Sequence, residues 1–147
     1  MRRLVVAIAL FGTLGTGCSL PEVTLKDALL TKLSPKGLEV GLNLDIFNPN
    51  EYALPLSGVD WDLDLFQADF TAGKTGFSRN IPAQRRADVQ VPIGIEFQTV
   101  AAGAQKLLTT RKIPWGIGGG CSFRIPAGEP IRVGFAHQGQ WTNPLLK

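Results

Sequence analysis

The sequence predicts an all-β domain with one short helix, built as an antiparallel β-sandwich. Three observations lead there. Residues 38–47 alternate strictly between apolar and polar or small side chains, later segments repeat the pattern, and turn residues punctuate the runs. In the first run Leu38, Val40, Leu42, Leu44 and Ile46 share one face, and Glu39, Gly41, Asn43 and Asp45 share the other. Period two over that length is a half-buried strand about 33 Å long. One apolar face and one polar face point to an antiparallel sheet with a wet side. Asn48-Pro49-Asn50 then ends the strand, because Pro49 has no N–H for the ladder and both Asn side chains can bond nearby backbone.

The later runs follow the same logic. Val59, Trp61, Leu63 and Leu65 alternate with Asp60, Asp62 and Asp64. Ala87, Val89, Val91, Ile93 and Ile95 form a second apolar stripe, and Trp115, Ile117, Cys121, Phe123 and Ile125 a third. Ile131, Val133 and Phe135 make a short final strand. Residues 22–33 are ambiguous, since Val23 and Leu25 suggest a strand while Leu29, Leu30 and Leu33 also permit a helical turn; they read as an edge strand. Turns are expected at Ala72-Gly73-Lys74, at 83–86 and at 127–130. Several short strands at this spacing fit a sandwich or a barrel, and their number favours the sandwich. Between Thr99 and Thr110, Val100, Ala104, Leu107 and Leu108 recur at helical spacing. That segment is expected to close one end of the sandwich or to cross between sheets.

The first residues read as an address. Met1-Arg2-Arg3 precedes an apolar run from Leu4 to Leu14 and the small residues Gly15-Thr16-Gly17. This is the layout of a secretory signal peptide, and the run is too short for a membrane-spanning helix of roughly 20 residues. Leu14-Gly15-Thr16-Gly17-Cys18 resembles a bacterial lipobox, with Gly15 where the usual pattern has leucine. The resemblance implies acylation of Cys18. The expected organisation is a lipoprotein signal peptide at 1–17, a lipidated linker at 18–21 and a sandwich at 22–147. Ser19 after the cysteine implies, by the same resemblance, sorting to the outer membrane of a Gram-negative envelope, on its periplasmic face. Several acyl chains would make the membrane attachment effectively permanent.

The order of elements resembles the WHy domain of water-stress and hypersensitive-response proteins, and of the folded group 2 late embryogenesis abundant proteins. The carrying residues are the strand 38–47 with Asn48-Pro49-Asn50, then 54–65, Asn80-Ile81-Pro82-Ala83, Ile117-Gly118-Gly119, and Gly139-Gln140-Trp141. The resemblance spans roughly residues 22–141. It implies an immunoglobulin-like or fibronectin III-like sandwich with an inserted helix and a role in desiccation or stress tolerance without catalysis. It brings no active site. Asn48, Pro49 and Asn50 are assigned a structural role.

Composition narrows the chemistry further. Apart from Arg2 and Arg3, 13 basic residues face 12 acidic ones, so no nucleic-acid partner is expected. One histidine and two cysteines leave little for metal or Cys/His chemistry. Asp60, Asp62 and Asp64 resemble the start of a calcium loop, but Leu65 and Thr71 stand where Gly and Glu are needed. They read as the wet face of a strand. Gly73-Lys74-Thr75 reads as a hairpin turn rather than a phosphate loop. Arg85 and Arg86 belong to a loop tip that is solvated or touches lipid headgroups. Cys121 shares the core parity and reads as a buried thiol. His137 is expected beyond the last strand. Trp61, Trp115 and Trp141 read as core or rim residues, and Trp141, near the polar C-terminal end, is the one whose surroundings allow exposure and contact with a partner.

No acid/base pair or nucleophile arrangement is visible, so no enzyme activity, no catalytic residue, no metal and no cofactor is expected. The expected function is that of a monomeric, membrane-anchored lipoprotein of desiccation protection. It would act through weak surface contact with client proteins or membrane. Two other classes stay open: an envelope adaptor for one protein partner, and a carrier of a small apolar ligand.

Overall fold

The computed structural model describes residues 19–97, 104–126 and 128–146. The leader, Cys18 and the 99–103 part of the expected helix lie outside the described residues. Among the described residues seven strands run β1 (Glu22–Ser34), β2 (Gly37–Phe47), β3 (Leu54–Leu65), β4 (Ala68–Ile81), β5 (Arg86–Glu96), β6 (Lys112–Phe123) and β7 (Ile131–Thr142). Helix α1 (Ala104–Thr109) lies between β5 and β6. The strands form a three-stranded sheet in the order β1-β2-β5 and a four-stranded sheet in the order β4-β3-β6-β7. All pairings are antiparallel. The result is a two-layer, immunoglobulin-like sandwich, and β1 is the edge strand that its ambiguous pattern suggests.

The alternating stripes become the core. Leu42, Leu44 and Ile46 of β2 and Val89 and Val91 of β5 are at most 1% exposed, as are Cys121 and Phe123 of β6. Each apolar side chain of this size contributes roughly 1.5–3 kcal/mol when fully buried. The polar alternates of β2 and β5 face water, which fixes the register: a slip by one residue would exchange the two faces. Every crossing between the layers is a connection after β2, β4 or β5, and α1 belongs to the last of them.

Three local expectations are corrected. Ala72-Gly73-Lys74 is not a turn; it lies inside β4, with Gly73 paired to Trp61. The hairpin turn is Phe66-Gln67, both with positive φ (56° and 65°). Neither residue is a usual left-handed one, so the sequence gives no turn signal there. Phe66 is held by its N–H to the Pro114 carbonyl (3.0 Å) and by Lys106, whose Nζ sits 4.4 Å from the ring centroid. The final strand is not short: β7 continues to Thr142 and contains His137, whose ring meets the Trp115 ring edge-on. Trp141 is buried rather than exposed. Its Nε1–H donates to the Ala28 carbonyl (2.8 Å), and its ring stacks on Trp115, so it ties β7 to β1 along one open edge of the sandwich.

Gly73 is required because a Cβ there would lie 2.7 Å from Cζ2 of Trp61. The indole covers the glycine and donates to Thr75 Oγ1 (3.3 Å). Gly94 of β5 has nothing within 4 Å of such a Cβ. Gly73→Ala is therefore expected to destabilise by about 1–3 kcal/mol through overpacking. Gly94→Ala should stabilise by about 0.4–1 kcal/mol by restricting the unfolded chain. Urea unfolding of the two variants checks the opposite signs.

Candidate functional site

Two regions concentrate polar side chains: the Asn-Pro-Asn turn and the outer face of the four-stranded sheet. Asn48 ends β2 where the chain first crosses to the other layer. It is fully buried, and a buried amide needs partners for its carbonyl and both protons. Nδ2 donates to the carbonyls of Tyr52 (2.9 Å), Ile81 (3.0 Å) and Pro82 (3.3 Å). Oδ1 accepts from the Asn50 N–H (3.0 Å) and from Asn50 Nδ2 (3.1 Å). The Asn48 N–H donates to the Arg85 carbonyl, and Gln84 N–H to the Asn50 carbonyl. The first crossing, after β2, and the second, after β4, are thus bonded to each other through one side chain. Half-buried Pro49 holds the turn at a fixed φ and leaves no amide proton unpaired.

Asn50, 3% exposed, reaches in the other direction. Its Oδ1 accepts from the Ser19 N–H (2.7 Å) and its Nδ2 donates to the Ser19 carbonyl (2.9 Å). Ser19 is the residue after Cys18, and Pro21 is buried two positions on. The turn therefore grips the chain next to the expected lipidation position.

A second Asn-Pro pair does the same work at the opposite end, and sequence reasoning missed it. Asn143 is 1% exposed. Its Nδ2 donates to the carbonyls of Leu107 (3.1 Å), Leu108 (3.3 Å) and Thr110 (3.0 Å), the orphan acceptors at the end of α1. Its Oδ1 accepts from the Leu145 N–H (2.8 Å), two residues on, as Asn48 Oδ1 accepts from Asn50. The shared dipeptide Asn-Pro was the available signal.

On the outer sheet face, Asp60, Asp62 and Asp64 of β3 oppose Gly120, Gly118 and Gly116 of β6. The aspartates therefore stand beside a strip without side chains. Open depressions of about 510 and 580 Å³ follow that strip, and one of about 870 Å³ lies on the other side of Asp60 and Asp62, against β4. Arg132 of β7 bridges it: Nε donates to Asp60 Oδ2 (2.8 Å) and Nη2 to Oδ1 (2.7 Å). This paired bond, reinforced by the Arg132 and Lys74 charges, holds Asp60 below the ordinary carboxylate range, against a smaller upward push from burial. Asp64 is shifted upward, first by burial, then by its hydrogen bond and charge repulsion with Asp69 and the charge of Asp62. Within the three-stranded sheet, Arg86 of β5 donates to Asp45 of β2 (3.0 Å) and lies over the Phe47 ring.

Among the described residues, no group of three or more His, Cys, Asp or Glu side chains is placed to hold a metal ion. Burial pushes the Cys121 thiol up to about 12, so it stays protonated and inert at neutral pH. The space between the sheets at Val40, Trp61, Leu63, Ile93, Ile95 and Ile117 amounts to about 10 Å³. Ligand pockets take about 300 Å³ or more.

A two-sheet sandwich crossed at one end by a buried Asn-Pro turn and at the other by a short helix defines a small immunoglobulin-like class of domain. Residues 43–139 match the family described as late embryogenesis abundant protein, and the chain belongs to that family, in its group 2 form. Solved structures share the fold. A late embryogenesis abundant protein in solution is 19% identical, with a TM-score of 0.70 over 86% of this chain and 73% of its own. A protein from Arabidopsis thaliana is 12% identical, with a TM-score of 0.69 over 91% of each chain. One from Archaeoglobus fulgidus is 10% identical, with a TM-score of 0.61 over 85% of this chain and 98% of its own. Comparison with curated proteins gives no sequence match.

Two predictions follow from this chemistry. Asn48→Ala removes the donor to the buried Ile81 carbonyl and the acceptor of the buried Asn50 N–H, at about 1–3 kcal/mol each. A loss of roughly 2–4 kcal/mol in urea unfolding is expected, and a loss below 1 kcal/mol would contradict the role. The pH dependence has two parts. Asp64 has a raised folded-state pKa, so its protonation between pH 7 and about 4 favours the folded chain. Asp60 has a depressed one, so its contribution, full above about pH 4, is lost as pH falls through the folded value. Asp64→Asn should stabilise at pH 7 by about 0.2–1 kcal/mol, the range for opposed cross-strand charges, and remove the acid-side rise. Asp60→Asn should flatten the fall below pH 4. Thermal unfolding of both variants from pH 7 to 2 checks the signs.

Proposed function

We propose that this chain is a non-catalytic stress-protection module, anchored to the bacterial envelope through acylated Cys18, on the periplasmic face of the outer membrane. Membership of the late embryogenesis abundant family carries the reading and points to a stress- or desiccation-related role. The surface suggests how such a module works. Among the described residues, the large apolar side chains that are well exposed are Leu20, Leu29 and Leu145, at 66%, 51% and 49%. A chaperone that holds unfolded chains needs a contiguous apolar patch of several hundred Å². Here the broad outer face is instead a charged, glycine-floored strip, held by Asp60 and Arg132. Contacts on such a face are wet, weak and reversible. They keep clients apart as water is withdrawn without binding them tightly. The tight interior leaves the apolar-carrier reading without support at its centre.

Drying or freezing a labile enzyme with the purified protein tests this. Activity retained should exceed that given by an equal mass of albumin. Protection no better than albumin would contradict the shielding mechanism, and a single stoichiometric partner in cross-linked envelopes would favour the adaptor instead.

A further inference from the structure

We infer that the Asn-Pro-Asn turn is a membrane-proximal clamp that holds the sandwich end-on against the lipid surface. This rests on the anchoring at Cys18 proposed above. The argument is one of slack. Residue 18 is joined to Ser19 by one peptide bond, so their Cα atoms are about 3.8 Å apart. Ser19 is not a free linker residue, because Asn50 pairs with both its N–H and its carbonyl. Asn50 is itself fixed by Asn48, and Asn48 by the carbonyls of Ile81 and Pro82. A continuous hydrogen-bonded chain thus runs from the sheets to the residue beside the anchor. A flexible linker of about 20 residues would let the domain wander about 25 Å from its anchor.

The clamp also decides which end meets lipid. Leu20, 66% exposed, lies between clamped Ser19 and buried Pro21. The loop carrying Gln84 and exposed Arg85 is bonded to the same turn. Leu20 is placed to enter the headgroup boundary and Arg85 to meet lipid phosphate. Glu22 and Glu51 lie at this end as well, so net charge does not hold it down. The tether does. Lys36, in the β1–β2 turn, lies at the other end of β2, about 36 Å away along its 11 residues.

The test uses the full chain, extracted in its native acylation state and reconstituted in vesicles of mixed zwitterionic and anionic phospholipid. A fluorophore is placed on Gln84→Cys or on Lys36→Cys, Cys121 being buried and unreactive. Lipids spin-labelled at the headgroup should quench the Gln84 probe several-fold more than the Lys36 probe. Asn50→Ala should erase most of that difference while the protein stays vesicle-bound. Because that variant also weakens the turn, a second one leaves the clamp intact. It inserts about six Gly/Ser residues between Cys18 and Ser19, giving roughly 13 Å of slack. It should erase the difference too. Equal quenching of both probes in the acylated wild type overturns the clamp alone. So does a difference that survives the insertion. An unmodified Cys18 by intact mass overturns the anchoring reading, and the clamp's membrane role falls with it.

Discussion

The architecture depends on a buried asparagine amide that bonds backbone from both layers. A sandwich of two open sheets has no covalent link between its layers apart from the crossing loops, and those loops carry carbonyls in buried or partly buried positions that need donors. Asn48 meets that need at one end by donating to Tyr52, Ile81 and Pro82. Asn143 meets it at the other by donating to Leu107, Leu108 and Thr110. In both, the following proline removes a competing donor and sets the turn, while the side-chain oxygen caps the amide two residues on. A buried amide with all its groups satisfied adds specificity as well as stability. Any shift of one sheet along the other would strand several polar groups at once.

These pins free the outer faces from structural duty. The strip beside Asp60, Asp62 and Asp64 can be floored with glycine because the layers are held at their ends and by the core. Arg132 closes over Asp60, whereas Asp64 and Asp69 are left in repulsion. That repulsion is a small cost the fold carries on the outer face of the sheet. The same pinning makes the end near Ser19 rigid, so an attachment to residue 18 transmits orientation to the whole sandwich.

The amphipathic strands were legible from residue type alone. At 38–47 and 87–95 one face must be dry and the other wet, and only one register achieves that. β4 was not legible, because its inward positions include Thr71, Gly73 and Thr75, which form no apolar stripe. Their smallness makes sense only once the Trp61 ring is seen lying over Gly73. The Phe66-Gln67 turn was hidden for a related reason: its strain is offset by Lys106 and Pro114, distant partners that no local pattern reveals. Trp141 misled because polar neighbours suggested exposure, while the strand carried it back over β1. Of the polar site, Asn-Pro-Asn was visible as a turn but not as a grip on Ser19, since that contact joins residues 31 apart.

Amide hydrogen exchange under native conditions reads the pinning of the two layers most directly. If the Asn48 network holds the sheets together, the N–H groups of Asn48 and Asn50 open only when the whole domain unfolds. Their protection then equals that of central strand amides such as Leu42 and Ile117. Exchange of Asn48 and Asn50 orders of magnitude faster than those strands, at the rate of an ordinary surface turn, would contradict the account.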